Sequence, residues 1–295
     1  MSEPAAASEE IPEPQKKPEF EPPKNPVVIT GATSGLGRAL ARRLATKHVP
    51  LIVHGRDQAL GASLIEELKP LADGSLLAFE LADLASQDEV RKLAARLGEK
   101  HSALHGLGNN AGVVMGARII TGDETEVTLA VNHLAPFLLT ELTADLLAAD
   151  DGGRVVNINS FMHKRGEANL DNLNAELWFN PWKTYSNTKL FSLLSTFAWA
   201  RRLSDRNITV NAYNPGVVRT KMLGGGVIKF LAPLFAKSAN TAASTAEFLV
   251  VSPKVEGITG CYYAATGSQK QPAAITKDQQ LQEKVFDATE ALIKN

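Results

Sequence analysis

A short apolar run, Val27-Val28-Ile29, passes directly into Thr30-Gly31-Ala32-Thr33-Ser34-Gly35-Leu36-Gly37 and from there into an amphipathic helical pattern. A strand that turns through three glycines into a helix leaves few folds open. Gly31 permits the tight turn, Gly35 lets a ligand approach the backbone, and Gly37 lets the helix pack close to the sheet. Thr33, Ser34 and Leu36 complete the same turn. Such a unit offers backbone amides and the start of a helix to a pyrophosphate. The spacing is G-x-x-x-G-x-G rather than G-x-G-x-x-G, and a plain glycine-rich turn has the same letters.

From Pro26 onward, strand-like and helix-like segments alternate without a linker. Strands are expected at Val27–Thr30, Leu51–Gly55, Leu76–Glu80, Gly106–Asn109, Arg154–Asn159, Ile208–Asn214 and Gly260–Ala264. Helical patterns fill Leu36–Lys47, Asp57–Leu68, Asp88–Glu99, Glu124–Ala149, Thr184–Leu203 and Thr241–Val251. Short runs that are apolar throughout belong to a parallel sheet covered on both faces. Right-handed crossovers then wind one α/β domain over residues 26–295, a doubly wound Rossmann-type fold with a mostly seven-stranded parallel sheet and helices on both faces. Residues 1–25 hold six prolines among Glu and Lys, with only Ile11 and Phe20 as large apolar side chains, and read as a disordered tail. Two connections break the alternation. Ser160 to Lys183 is long, and Val218 to Asn240 carries Gly224-Gly225-Gly226 ahead of an apolar run, which reads as the hinge of a lid over residues 222–236.

Composition excludes several classes. A net charge of -1 without a basic run lacks the electrostatic footprint of a nucleic-acid binder. The single Cys261 rules out an intrachain disulfide and a cysteine-based metal cluster, fits a reducing compartment, and reads as a packed small hydrophobe. No signal-peptide run is found, the start is too acidic for a transit peptide, and no segment is expected to reach the roughly 18 apolar residues of a spanning helix. The expected localisation is therefore cytoplasmic. The nearest approach to a membrane element, Val227 to Ala236, is cut by Pro233. His133 and His163 lack partners at ligand spacing, so they read as core or surface histidines and no metal site is expected.

The sequence Tyr185-Ser186-Asn187-Thr188-Lys189 sets a phenol and an amine on one helix face. A free phenol, with a pKa of about 10, is a poor base at neutral pH. A positive charge from Lys189 lowers that value and lets the pair take a proton as well as give one. Ser160, delivered by the strand Arg154–Asn159, supplies a second donor to the oxygen with which the phenol would exchange that proton. Each residue alone has an ordinary use: a tyrosine packs with a polar handle, a serine caps a loop, and Asn132 sits satisfied in a helix.

Together these motifs, in this order, resemble those of the short-chain dehydrogenase/reductases, in detail the branch of retinol dehydrogenases and related carbonyl reductases. The resemblance runs over about residues 26–293 and rests on Thr30–Gly37, Asn109-Asn110-Ala111-Gly112, Val131-Asn132-His133-Leu134, Ser160, Tyr185–Lys189 and Asn214-Pro215-Gly216-Val217-Val218-Arg219-Thr220. It implies an oxidoreductase with Tyr185 as proton donor or acceptor, and Lys189 serving both the phenol and the nicotinamide ribose. It implies further that Asn132 lies in a helix distortion and holds a water linking Lys189 to solvent. Asn109, Ala111 and Gly112 are implied beside the adenine ribose. Pro215 and Gly216 are implied beneath the nicotinamide, with the Val218 backbone and the Thr220 hydroxyl on its carboxamide. One departure follows the third strand, where related sequences place Asp and this chain has Glu80-Leu81. Glu80 is carried as an adenine contact and the Leu81 backbone as a frame for the ring.

Cofactor choice is read at the end of the second strand. An acidic side chain there favours NAD, but this chain has Gly55 followed by Arg56, whose guanidinium suits a 2′-phosphate. NADP(H) is favoured; Asp57, one residue on, leaves NAD(H) open. Phe161, Met162, Trp178, Phe179 and Trp182, with Met222, Phe230, Leu234 and Phe235 farther on, imply a hydrophobic pocket. A small apolar ketone, aldehyde or alcohol is the expected partner, while the same aromatics would equally build core or a homo-oligomer interface. A nicotinamide-binding scaffold without turnover, and double-bond reduction or dehydration on the same frame, stay open at this point.

Overall fold

The computed structural model describes residues 20–216 and 239–293. Val218, Thr220 and the connection 222–236 with its expected lid, including Met222, Phe230, Leu234 and Phe235, lie outside the described residues, as do residues 1–19. The apolar runs form strands β1 (Val27–Ile29), β2 (Leu51–Gly55), β3 (Leu77–Leu81), β4 (Gly106–Asn109), β5 (Arg154–Ile158), β6 (Thr209–Tyr213) and β7 (Tyr262–Tyr263). They pair in the order β3-β2-β1-β4-β5-β6-β7, and every pair is parallel. β7 is shorter than expected because Gly260 takes a φ of 67° and the Ala264 amide turns to donate to the Ser268 carbonyl.

The helices are α1 (Gly35–Ala45), α2 (Gln58–Ala72), α3 (Gln87–Lys100), α4 (Val127–Ala148), α5 (Pro181–Arg202), α6 (Ala239–Val251) and α7 (Gln279–Ile293). Successive strand residues point to opposite faces. Val28, Ile52, Leu107, Val155 and Val210 pack against α3, α4, α5 and α7. Val27, Ile29, Leu51, Val53 and Val156 pack against α1, α2 and α6. This is the doubly wound Rossmann-type arrangement, with strand order reversing between β1 and β4 and a crevice opening at the carboxyl edge there.

Three expectations are corrected. The first concerns membrane length: α4 is long and apolar enough to cross a membrane, yet 78% of its apolar window is buried inside the protein, so it is a core helix. The second concerns the tail, expected over residues 1–25. Phe20 already packs against the α1/α2/α6 layer, with Lys47 Nζ 4.6 Å from its ring centre, and Asn25 Nδ2 donates to Asp150 Oδ1 at 2.6 Å. The third is α7, which was not expected. Its Val285, Phe286, Thr289 and Ile293 line one helical stripe and are buried. Phe286 meets Phe137 of α4 at 4.6 Å and Trp199 of α5 at 4.8 Å between ring centres. Burying one such ring is worth roughly 1.5–3 kcal/mol.

Candidate active site

The glycine turn leaves β1 and enters α1 under tight steric terms. Gly31 has φ 62°, and a Cβ on it would stand 2.9 Å from the Ala111 Cα. A Cβ on Gly37 would overlap the Gly31 carbonyl and the Asn110 amide nitrogen. Asn110 closes this clasp: Nδ2 donates to the Thr30 carbonyl at 2.9 Å and the Gly31 carbonyl at 3.1 Å. The Thr30 hydroxyl accepts from the amides of Asn110 (3.0 Å) and Ala111 (3.1 Å). Ser34 occupies the N-cap of α1 without a side-chain cap, so the first helical amides at the turn receive no capping oxygen from it. Leu36 is buried beneath the turn, Thr33 is half-buried against Gly55, and Ser34 is exposed.

His54, which the sequence reading passed over as part of a strand, props this turn from below. The Gly31 amide donates to His54 Nδ1 at 3.3 Å, so Nε2 carries the proton and donates to the Ala82 carbonyl at 3.1 Å. Burial, the largest influence, lowers the imidazole from its ordinary pKa and keeps this neutral form. Beyond β2, Arg56 is exposed and, among the described residues, makes no ion pair. Asp57 caps α2 by accepting from the Leu60 amide at 3.0 Å.

Glu80 corrects the expectation of an adenine contact. It lies on β3 with its side chain turned to α3, where Arg96 Nε (2.7 Å) and Lys100 Nζ (2.6 Å) donate to its two oxygens. Those hydrogen bonds outweigh burial and hold its carboxyl below the usual range. Leu81 is exposed at the strand end, its carbonyl accepting from Arg96. Asn109 is likewise turned inward, Nδ2 donating to Asn157 Oδ1 at 2.8 Å, so only its backbone borders the crevice. Ala111 and Gly112 are half-buried there. Pro215 and Gly216 close β6, the Gly216 amide donating to Asn214 Oδ1 at 3.0 Å.

Ser160, Tyr185 and Lys189 converge at the end of β5. Asn159 fixes the junction: Oδ1 accepts the Ser160 amide at 2.8 Å, while Nδ2 donates to the Lys189 carbonyl at 2.8 Å. α5 starts at Pro181, earlier than expected, because Asn180 caps the Trp182 and Lys183 amides and proline suits the first helical position. Tyr185 is 6% exposed and Lys189 3%. Lys189 Nζ donates to the Ile158 carbonyl at 3.0 Å and lies 5.7 Å from the Tyr185 ring centre. Asn132 sits in the expected distortion, a π-helical turn over Ala130–Leu134 inside α4. Its side chain grips the Val113 peptide, with Oδ1 accepting from Val113 N and Nδ2 donating to Val113 O, both at 2.8 Å. A π-turn loosens backbone groups at functional positions. Next to it, His133 is fully buried, within 2.8 Å of Thr289 Oγ1 on α7, and burial lowers its pKa to about 3.

The short chain dehydrogenase family matches this chain over residues 25–226. The chain is a short-chain dehydrogenase/reductase. Retinol dehydrogenase 14 of Mus musculus is 35% identical over 288 residues, spanning 90% of this chain and 85% of its own length. Polyprenol dehydrogenase of the same species is 32% identical over 286 residues, spanning 91% and 85%. These relatives place the chain in the retinol dehydrogenase-like branch. Among solved structures, a blue fluorescent protein from a metagenomic library, in complex with NADPH, superposes with a TM-score of 0.68 at 25% identity over 83% of this chain and 97% of its own.

In this short-chain dehydrogenase/reductase the electrostatics differ from the expected lowering of the Tyr185 phenol. Burial raises the Tyr185 pKa, and a hydrogen bond with Ser160 pulls against it. Burial alone lowers Lys189 to about 8. The phenol is thus held neutral, the state from which it gives a proton. Around it, Phe161, Trp178 and Trp182 stay between 37% and 45% exposed, so these three rings are not core, while Phe179 is half-buried. Met162 is half-buried.

Proposed function

We propose that this protein moves a hydride between NADP(H) and a lipophilic ketone or aldehyde, or the corresponding alcohol, with Tyr185 giving or taking the proton. The observation that carries the reading is a buried, neutral Tyr185 phenol, bonded to Ser160, on the sheet edge that also carries the glycine turn. The cofactor's fit is tested by the turn, where a Cβ on Gly31 or Gly37 would fill the cradle and Ser34 leaves the first α1 amides without a side-chain cap. Gly35, Leu36 and Gly37 would hold the pyrophosphate there, Arg56 the 2′-phosphate, and Lys189 the nicotinamide ribose. Bound, the cofactor supplies the hydride. Ser160 and Tyr185 orient the substrate oxygen, and Tyr185 places a proton on it as negative charge develops.

Support for NADP(H) comes from Arg56 standing unpaired among the described residues while Asp57 is occupied as a cap. Support for an apolar substrate comes from the half-exposed rings of Phe161, Trp178 and Trp182 and from relatives named for retinol and polyprenol. The test is a panel of long-chain aldehydes, aryl ketones and isoprenoid alcohols, followed through the cofactor's absorbance with NADPH or NADP. Cofactor binding without turnover of any member would replace this reading with that of a binding scaffold.

Two results are expected from this assay. Arg56→Glu sets a carboxylate against the 2′-phosphate, so the NADPH-over-NADH preference in kcat/KM falls at least about tenfold, as loss of a charge-assisted bond demands. An unchanged ratio assigns the phosphate to another group. Reduction also needs Lys189 charged, and a lysine is charged below its pKa. With that value at about 8, kcat/KM for reduction stays level below pH 8 and declines above it. The break is absent from the residual activity of Lys189→Met; its persistence there would remove Lys189 as its source.

A further inference from the structure

The carbonyl of Ser160 is gripped twice by one residue, by the His163 amide at 3.1 Å and by His163 Nδ1 at 2.7 Å. The other ring nitrogen, Nε2, lies 3.1 Å from the amide of Ala273. An amide N–H can only donate, so Nε2 accepts and the proton of the neutral ring sits on Nδ1, donating to Ser160. One neutral tautomer satisfies both bonds, and an imidazolium would satisfy only one. The ring is 0% exposed and meets the Tyr262 ring edge-on at 5.1 Å. Burial also keeps it below its ordinary pKa, against the pull of the Ser160 carbonyl.

Ala273 belongs to the segment that joins β7 to α7. That segment also reaches the turn after β6, where a Cβ on Gly216 would lie 3.7 Å from the Ala265 side chain. It therefore runs from the Pro215-Gly216 turn to the loop that carries Ser160. We propose that His163 is a positioning residue that ties the Ser160 carbonyl to Ala273, so that the reach of the Ser160 hydroxyl and the seat of residues 264–273 are set by one side chain. The role at Ser160 rests on the oxidoreductase reading above; the hold on Ala273 does not. In this arrangement His163 touches neither substrate nor cofactor, and it acts through the two backbone groups it joins.

Two variants separate the bonds. His163→Phe keeps a ring against Tyr262 and deletes both, whereas His163→Asn sets a donor near the Nδ1 position and leaves Ala273 without an acceptor. With the fastest carbonyl compound of the panel, H163F is expected to lose about tenfold in kcat, as for one buried hydrogen bond, with KM for NADPH within about twofold of wild type. H163N is expected to recover kcat to within about threefold of wild type. In cofactor-free protein, hydrogen exchange at the Ala273 amide is expected to quicken at least about tenfold in both variants. Wild-type kcat in H163F, equal loss in the two variants, or unchanged Ala273 protection would each overturn the proposal. If H163F does not fold, H163N decides by the same two readouts. If wild-type protein turns over no member of the panel, the oxidoreductase reading fails by itself, and Ala273 exchange still decides whether His163 holds the segment.

Discussion

Replacing Tyr185 with phenylalanine is expected to lower kcat for carbonyl reduction about 100- to 10,000-fold, the range that positioned proton transfer contributes. The ring is buried on α5, so its packing survives in the variant and only the hydroxyl is lost. The affinity for NADPH, measured by fluorescence titration, is expected to change little because Lys189 and the glycine turn remain. Activity near the wild-type level would remove Tyr185 from the chemistry and leave Ser160 as the donor to be tested.

Gly37→Ala is expected to have the second largest effect, this time on cofactor binding. The added methyl overlaps the Gly31 carbonyl and the Asn110 amide, the two groups that hold the turn's shape. Overpacking of this kind costs about 1–3 kcal/mol, and because the strain falls on the cradle itself, NADPH affinity is expected to fall at least about tenfold. Gly98→Ala serves as the control: it lies within α3, where a Cβ meets nothing within 4 Å, and the change is expected to stabilise by about 1 kcal/mol. Equal cofactor affinity in G37A and wild type, by titration, would show that the turn is not the pyrophosphate site.

Much of the fold was legible because its signals are local. Strands that pack on both faces are apolar at most positions, as β2 shows in Leu51-Ile52-Val53 ahead of His54, and such runs stand out without knowledge of their neighbours. Tyr185, Lys189 and Ser160 were legible because helix geometry and a strand end fix their places. What escaped was set by partners distant in sequence. The direction of the Glu80 side chain is decided by Arg96 and Lys100 on α3, and the role of His163 by an amide 110 residues away. The expected lowering of the Tyr185 phenol failed for a related reason: charge pairing can be read from spacing, while burial depends on the whole assembly. α7 had a readable stripe in Val285, Phe286, Thr289 and Ile293, but its lone aromatic gave little hint of the surface it covers.

That surface has a consequence for how the chain is made. Phe137 and Trp199 lie against Phe286, so the aromatic layer between α4 and α5 is completed by residues that leave the ribosome long after the sheet's first strands. At about 5–20 residues per second, the stretch from Trp199 to Phe286 occupies several seconds of synthesis. During that interval an oily face waits beside an unfinished parallel sheet, whose distant pairings form slowly. A chain cut before Gln279 is therefore expected to give less soluble protein than the full chain, because Phe137 and Trp199 then lose the ring that covers them.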